Sequence, residues 1–190
     1  MTFTEVVQSV HSIVKRPDRI VDIQREVNAA VNFFSTDINA TRDIAEVLTP
    51  ISAVDYTQAI ALTTFPYWRK FAYIKRAGTK EFLTKVSMKK LYSKDCAYAD
   101  TYYVASNSLK ISMVTLASNL DIGYYMYPAI LTDAAPNHWL LDAAWPCIYN
   151  RALGKILGSI GDSTAAQRHE GFAVAEWLSK RSDLEAEEGQ

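Results

Sequence analysis

YYMYPAILTDAAPNHWLLDAAW, Tyr124 to Trp145, is the stretch where the chain changes from one kind of structure to another. An extended aromatic run ends at Pro128, a residue that cannot donate to a strand ladder. A polar loop follows, then Trp139-Leu140-Leu141, then Pro146, whose fixed φ suits the first turn of a helix. Upstream, between about residues 43 and 128, short runs rich in Val, Ile, Thr, Tyr and Phe predict strands. Downstream, Ile148, Tyr149, Ala152, Leu153, Ile156 and Leu157 recur at helical spacing. Gly158 and Gly161 mark the end of that helix, and a last helix capped by Asp162 or Ser163 runs through Phe172, Ala175, Trp177 and Leu178 to about Ser182.

The chain also begins with helices. Thr2 and Glu5 form a capping box, and Val6, Val7, Val10, Ile13 and Val14 follow at helical spacing. Pro17 breaks that run and opens a second helix, with Ile20, Ile23, Val27, Ala30, Val31 and Phe34 on one face. The helical period is lost near Ser35-Thr36-Asp37. Strands are expected at Ile44–Leu48, Thr57–Leu62, Trp68–Lys75, Tyr102–Ala105, Leu109–Met113 and Leu120–Tyr127, while Glu81–Tyr92 fits a short helix or a strand. In Trp68–Lys75, strict alternation puts Trp68, Lys70, Ala72 and Ile74 on one side and Arg69, Phe71, Tyr73 and Lys75 on the other. Neither side is purely apolar, so an edge strand or an assembly interface is expected.

The fold class is therefore α+β: a small antiparallel bundle of N- and C-terminal helices with an inserted antiparallel β lobe. One domain is expected over 1–182, with helices at about 2–35 and 137–182 and the lobe at about 43–128. Residues 183–190, DLEAEEGQ, are acidic and lack aromatics, and are expected to be a disordered tail.

Net charge is -1, from 20 basic and 21 acidic residues, so bulk attraction to nucleic acid or anionic membrane is not indicated. No segment reaches the roughly 18 apolar residues of a membrane span, and the N-terminus lacks the apolar core of a signal peptide. Cys96 and Cys147 belong to no C-x-x-C pair, so a disulfide or zinc framework is not expected and a reducing compartment fits. His11, His138 and His169 have no second His or Cys at metal-ligand spacing, and no phosphate-loop, nucleophile-elbow or H-E-x-x-H pattern occurs. Asp95, Asp100, Asp121, Asp133 and Asp142 are scattered through turns and strand ends, as turn formers are. Cys147, in the first turn of a helix, reads as buried and inert. No catalytic residue, cofactor or metal is expected.

Eleven tyrosines and four tryptophans suit either an antiparallel sheet or surfaces that become buried on assembly. A basic run, Arg69, Lys70, Lys75, Arg76, Lys80, Lys85, Lys89, Lys90 and Lys94, is interleaved with Trp68, Phe71, Tyr73, Phe82 and Tyr92. It fits a solvated strand face, a surface for subunits or partners, or a single-strand nucleic-acid surface.

Several ordered features resemble the head-to-tail adaptor (connector) proteins of short-tailed bacteriophages. Phe65-Pro66 followed by Trp68-Arg69-Lys70 is similar to the opening of that family's β lobe, and Tyr102–Met113 to its small hairpin. Leu120–Pro128, with the Tyr124-Tyr125 pair, looks like the next strand. Asn137, Trp139, Leu140, Leu141 and Pro146 match the loop and helix start, and Ala152-Leu153 and Gly161-Asp162 continue it. The resemblance covers roughly the last two-thirds of the chain. It departs at Met126, where a basic residue is usual, and in extra sequence between Met88 and Tyr102.

The resemblance implies a virion structural protein of the neck or tail, assembled in the host cytoplasm. Copies would form a homo-oligomeric ring, expected as a dodecamer, between the portal protein and the tail nozzle or tail tube protein. Packaged DNA would pass through it without sequence-specific binding, and no membrane is involved. Portal docking is expected at Asp183, Leu184, Glu185, Glu187 and Glu188. Inter-subunit or tail contacts are expected at Trp68, Arg69, Lys70, Phe71, Tyr73, Lys75, Tyr124, Tyr125 and Trp139. The alternatives are a tail completion or tail-tube-associated structural protein, and a single-strand nucleic-acid binding module.

Overall fold

The computed structural model describes residues 1–50, 57–91, 100–113 and 119–188. It divides into a helical unit, Met1–Asp43 with Tyr127–Gln190, and a β unit, Ile44–Met126.

In the helical unit, α1 (Phe3–Val14) starts at the expected capping box: the Thr2 hydroxyl accepts from the Glu5 N–H at 3.3 Å, and the Glu5 carboxylate accepts from the Thr2 N–H at 2.7 Å. It ends at Lys15, which takes the left-handed conformation (φ 53°). Pro17 does not open the next helix directly. It begins a 3-10 turn, Pro17–Arg19, that leads into α2 (Ile20–Asp37). Ile23, Val27, Ala30, Val31 and Phe34 are buried along α2, as their spacing predicts. Trp139-Leu140-Leu141, inside the expected helical stretch 137–182, forms a short helix of its own, α4 (Trp139–Ala143), whose N-cap is His138 accepting from the Leu140 N–H at 3.2 Å.

Helix α5 (Trp145–Ser159) carries Pro146 in its first turn and buries Ile148, Ala152, Leu153 and Ile156. Its Gly154 permits close approach to the last helix, α6 (Ser163–Glu188). A Cβ there would lie 3.0 Å from Glu170 Cγ and 3.1 Å from the Ala166 carbonyl oxygen. Asp162 caps α6 by accepting from the Ala165 N–H at 3.0 Å.

The expected tail is a correction. Residues 183–188 are the last turns of α6, not a disordered segment. The cause is packing rather than composition. Ala166, Ala173, Trp177 and Leu184 follow one another at intervals of seven, four and seven along one stripe, and all four join the helical core. That stripe carries the helix past Ser182. Arg181 adds an ion pair to Glu185 at 2.7 Å, one turn on.

On the opposite side of α6, Gly171 has nothing within 4 Å of a built Cβ. A glycine inside a helix costs about 1 kcal/mol relative to alanine. Gly171→Ala is therefore expected to stabilise the isolated protein by about 1 kcal/mol in denaturant unfolding. A loss of stability would mean that something packs closely there.

The β unit contains a three-stranded sheet of β1 (Ile44–Pro50), β7 (Asn119–Met126) and β3 (Trp68–Arg76), in that order, and a four-stranded sheet of β2 (Thr57–Ala61), β6 (Ser108–Ser112), β5 (Thr101–Ala105) and β4 (Thr84–Lys85), in that order. Strands β1, β2, β3, β5, β6 and β7 lie where they were expected. Within Glu81–Tyr92, both candidate structures occur: β4 (Thr84–Lys85) and the short α3 (Met88–Leu91). Pairing is antiparallel throughout the described strands except between β4 and β5. Ile60, Leu109 and Ile111 of one sheet and Ile74, Leu120, Ile122 and Tyr124 of the other share one buried core with Phe65 and Tyr102.

Strand β3 is an edge, but strict alternation fails along it. Register shifts fall between Trp68 and Lys70 and between Phe71 and Tyr73, leaving Arg69 and Ala72 without partners in the ladder. The two bulges turn Phe71 onto the core side with Trp68 and Ile74, so that residues three apart lie opposite Met126, Tyr124 and Ile122. Lys70, Tyr73 and Lys75 share the outer side with Tyr125, Gly123 and Asp121.

Candidate assembly surface

The outer face of the β1-β7-β3 sheet gathers several of the residues singled out in the sequence. Gly123 sits at its centre, paired with Glu46 on one side and Tyr73 on the other. The Tyr73 ring lies across the glycine: a Cβ on Gly123 would be 2.3 Å from Tyr73 Cε1. The Tyr73 hydroxyl donates to the Glu46 carboxylate, so the ring spans β7 from one edge strand to the other. Phe82 packs edge-on against it with centroids 6.1 Å apart. The absence of a side chain at Gly123 is what lets an aromatic ring cover the middle strand.

Beside this bridge, Lys75 and Asp121 pair at 3.6 Å. At the other end of the face, Arg69 and Lys70 flank the Tyr125 ring, with their charged groups 5.3 and 5.1 Å from its centroid. Burial, then the charges of Arg69 and Lys85, holds the Lys70 ammonium below its usual pKa. Leu48 stands 59% exposed. It joins Glu46, Tyr73, Lys75 and Asp121 around a shallow groove of about 300 Å³. The face therefore mixes aromatic rings, both signs of charge and an exposed leucine.

The bridge leaves a measurable signature. The hydrogen bond to Glu46, then burial, pushes the Tyr73 phenol up to about 12. A folded-state pKa above the unfolded value, about 10, means that the folded protein holds this proton longer. Its stabilising contribution is complete below about pH 10 and is lost as pH rises through about 12. An ultraviolet alkaline titration is expected to show one tyrosinate near pH 12 that disappears in Tyr73→Phe. It should move down toward the ordinary value in Glu46→Gln. An unchanged titration in both variants would contradict the bridge.

The other expected contact residues lie elsewhere. Tyr124 is 2% exposed and belongs to the β-unit core, which corrects its assignment to a subunit or tail contact. Alternation along β7 sends Tyr124 inward and Tyr125 outward. Trp68 and Phe71 are half-buried against the same core, with rings 5.5 Å apart, and the Trp68 indole N–H has no acceptor among the described residues. Trp139 belongs to the helical unit. Its Nε1 donates to Asp43 Oδ1 at 2.7 Å, and Ser35 donates to the other oxygen at 2.9 Å, so this tryptophan holds the buried Asp43 just before β1 begins.

At the end of α6, Leu184 is 8% exposed and packs in the helical core, which corrects its assignment to portal docking. Asp183 and Glu185 are exposed, and Glu187 and Glu188 lie in the final turn of the helix.

Several of the scattered acids and histidines are held in structural contacts. Asp100 pairs with Arg76 at 2.6 Å, Asp133 accepts from Thr4 at 2.8 Å, and Asp142 pairs with the chain's amino group at 3.2 Å. Asp95 and Cys96 lie outside the described residues. His169 bonds Asn150 at 2.9 Å, and burial lowers the pKa of both His138 and His169. Cys147 is buried, and burial pushes its thiol up to about 11, the reverse of an activated nucleophile. Among the described residues, no group of three His, Cys, Asp or Glu side chains could hold a metal ion, and no helix is long and apolar enough to cross a membrane.

The Tyr73–Gly123–Glu46 arrangement was not found from the sequence. The available signal was a glycine inside an otherwise continuous strand pattern, which marks a bulge or a close approach. Comparison with known family models and with curated proteins gives no match for this chain.

Proposed function

We propose that this chain is a head-to-tail adaptor: a structural ring component that joins a portal to a tail and extends the DNA channel. The observation that carries the proposal is the order of its parts. Both ends of the chain build one helical unit, and a β unit is inserted between them. This supports the resemblance drawn from the Tyr124–Trp145 stretch and its neighbours. The outer face of β1-β7-β3 then serves neighbouring subunits or the tail, through Arg69, Lys70, Tyr73, Lys75 and Tyr125. The exposed acids at the end of α6 serve the portal.

Deleting residues 183–190 would remove the buried Leu184 and so confuse folding with docking. Charge reversal is the cleaner test. Asp183→Lys with Glu187→Lys and Glu188→Lys leaves Leu184 and the Arg181–Glu185 pair in place. The triple variant is expected to keep its helical circular dichroism and to bind the portal about tenfold more weakly or worse. Unchanged portal affinity would remove the end of α6 from the contact.

A further inference from the structure

Arg151, on α5, is held in place by a ring but meets no carboxylate. Its guanidinium carbon lies 3.6 Å from the centroid of the Phe33 ring on α2. At that distance an edge-on group would drive a nitrogen into the ring, so the guanidinium lies flat on the aromatic face. Stacking fixes its plane and leaves the N–H edges of the fork free to donate. No hydrogen bond or ion pair reaches Arg151 from the described residues. By contrast Arg16, Arg19 and Arg181 of the same helical unit each meet a carboxylate at 2.9 Å or less.

The two acids whose fields reach Arg151 are engaged elsewhere: Glu170 with Lys155 at 2.7 Å and Glu26 with Arg25 at 3.4 Å. Burial lowers the Arg151 pKa against those fields, so this cation is partly dehydrated with no anion in contact. Arg151 also lines a groove of about 300 Å³ between α2 and α5, with Glu26, Ala29, Phe33, Thr36 and Lys155. Ala29 is exposed there and Phe33 is 45% exposed, so apolar area lies beside the charge.

We propose that this groove binds an acidic side chain of a partner protein, with Arg151 as a bidentate clamp on the carboxylate and Phe33 as the platform beneath the clamp. The unpaired positive charge calls for an anion, and the fixed fork matches the two oxygens of a carboxylate. A carboxylate fits better than phosphate, because Glu26 and Glu170 repel a doubly charged group more strongly. An apolar residue next to the acid would cover Phe33 and Ala29. Holding the fork flat before binding reduces the entropy lost when the contact forms. The site is built within the helical unit alone, and the inference does not rest on the adaptor reading.

The test titrates ¹⁵N-labelled full-length protein with acetyl-Leu-Glu-Leu-amide at about 20 mM salt, where ion pairs are little screened. The readout is the Arg151 Nε–H resonance, assigned by its loss in Arg151→Lys. A saturating shift is expected, half-complete at roughly 1–10 mM peptide, the strength of one bidentate contact with little added area. The glutamine analogue of the peptide should bind about tenfold more weakly or worse. Arg151→Lys keeps the charge but not the fork, and binding followed at the Thr36 and Lys155 amides should weaken about tenfold. Phe33→Leu, which removes the platform, should also weaken it. Arg151→Met should abolish binding yet melt within about 2 °C of the unaltered protein, since methionine keeps an apolar cover on Phe33.

The proposal is overturned by a shift that does not saturate up to about 50 mM peptide, by equal binding of the glutamine analogue, or by inorganic phosphate binding more tightly than the peptide. It is equally overturned if Arg151→Lys binds as well as the unaltered protein, or if Arg151→Met melts more than about 5 °C lower, which would make the arginine a packing strut. A shift on raising the protein concentration alone would seat a second copy in the groove and overturn it too. All of these readouts use the protein without a portal, so failure here and failure of the adaptor reading are distinguishable.

Discussion

Trp177→Ala is expected to destabilise the helical unit by about 3–5 kcal/mol, the range for removing a buried aromatic. Trp177 is 4% exposed, and its ring centroid lies 4.6 Å from that of Phe34, so α6 meets α2 through these two rings. Its indole N–H donates to Asp37 Oδ2 at 2.7 Å, and Arg181 reaches the same oxygen at 3.1 Å. Alanine would leave a cavity against Phe34 and remove one of the two donors to Asp37. The hydrogen bond is the smaller part, about 1–2 kcal/mol for a partly solvated charged acceptor. Trp177→Phe, which keeps most of the packing, should therefore recover more than half of the loss. In a chain of this length, the alanine variant should melt roughly 10 °C lower. A fall of under about 2 °C would mean that α6 is not anchored through this residue.

Gly123→Val is expected to destabilise the β unit by about 2–3 kcal/mol, although valine is the better strand former. On propensity alone the change should help, because an interior glycine weakens a strand. The overlap decides otherwise. A Cβ would lie 2.3 Å from one atom of the Tyr73 ring and 2.6 Å from the next, well inside contact distance. The ring has little freedom to yield, held by Glu46 at its hydroxyl and Phe82 at its edge. Displacing it would also break the link between the two edge strands. Tyr73→Ala in the same chain removes the obstacle, so the double variant should be more stable than the sum of the single losses predicts, by about 1 kcal/mol or more. Additive losses in equilibrium unfolding would show that the ring does not cover Gly123.

The parts legible in the sequence are those set by local chemistry. The Thr2–Glu5 cap, the buried stripe of α2 and the strand runs depend on neighbours within a few residues, and each is found where the pattern puts it. What was not legible depends on distant partners. Tyr73 and Glu46 are 27 residues apart, and Trp139 and Asp43 are 96 apart. Nothing local in β3 announces its two bulges, yet they turn Phe71 to the core side beside Trp68 and Ile74 and send Lys70 outside with Tyr73 and Lys75. The end of α6 shows composition outweighed by spacing. DLEAEEGQ has the make-up of a solvated tail, but Leu184 falls seven residues after Trp177 on the stripe that packs into the core. Of the expected contact set, the side chains that remain available on the sheet are those the pleat turns outward, Tyr125 rather than Tyr124.

The measurement that tests the central proposal most directly is the mass of the complex formed with the portal, by light scattering with negative-stain imaging of the same sample. A head-to-tail adaptor predicts a discrete ring stacked on the portal, with an added mass equal to a whole number of 21.3 kDa chains matching the symmetry of the assembly. Folded protein that leaves the mass of an intact portal unchanged would contradict the adaptor proposal.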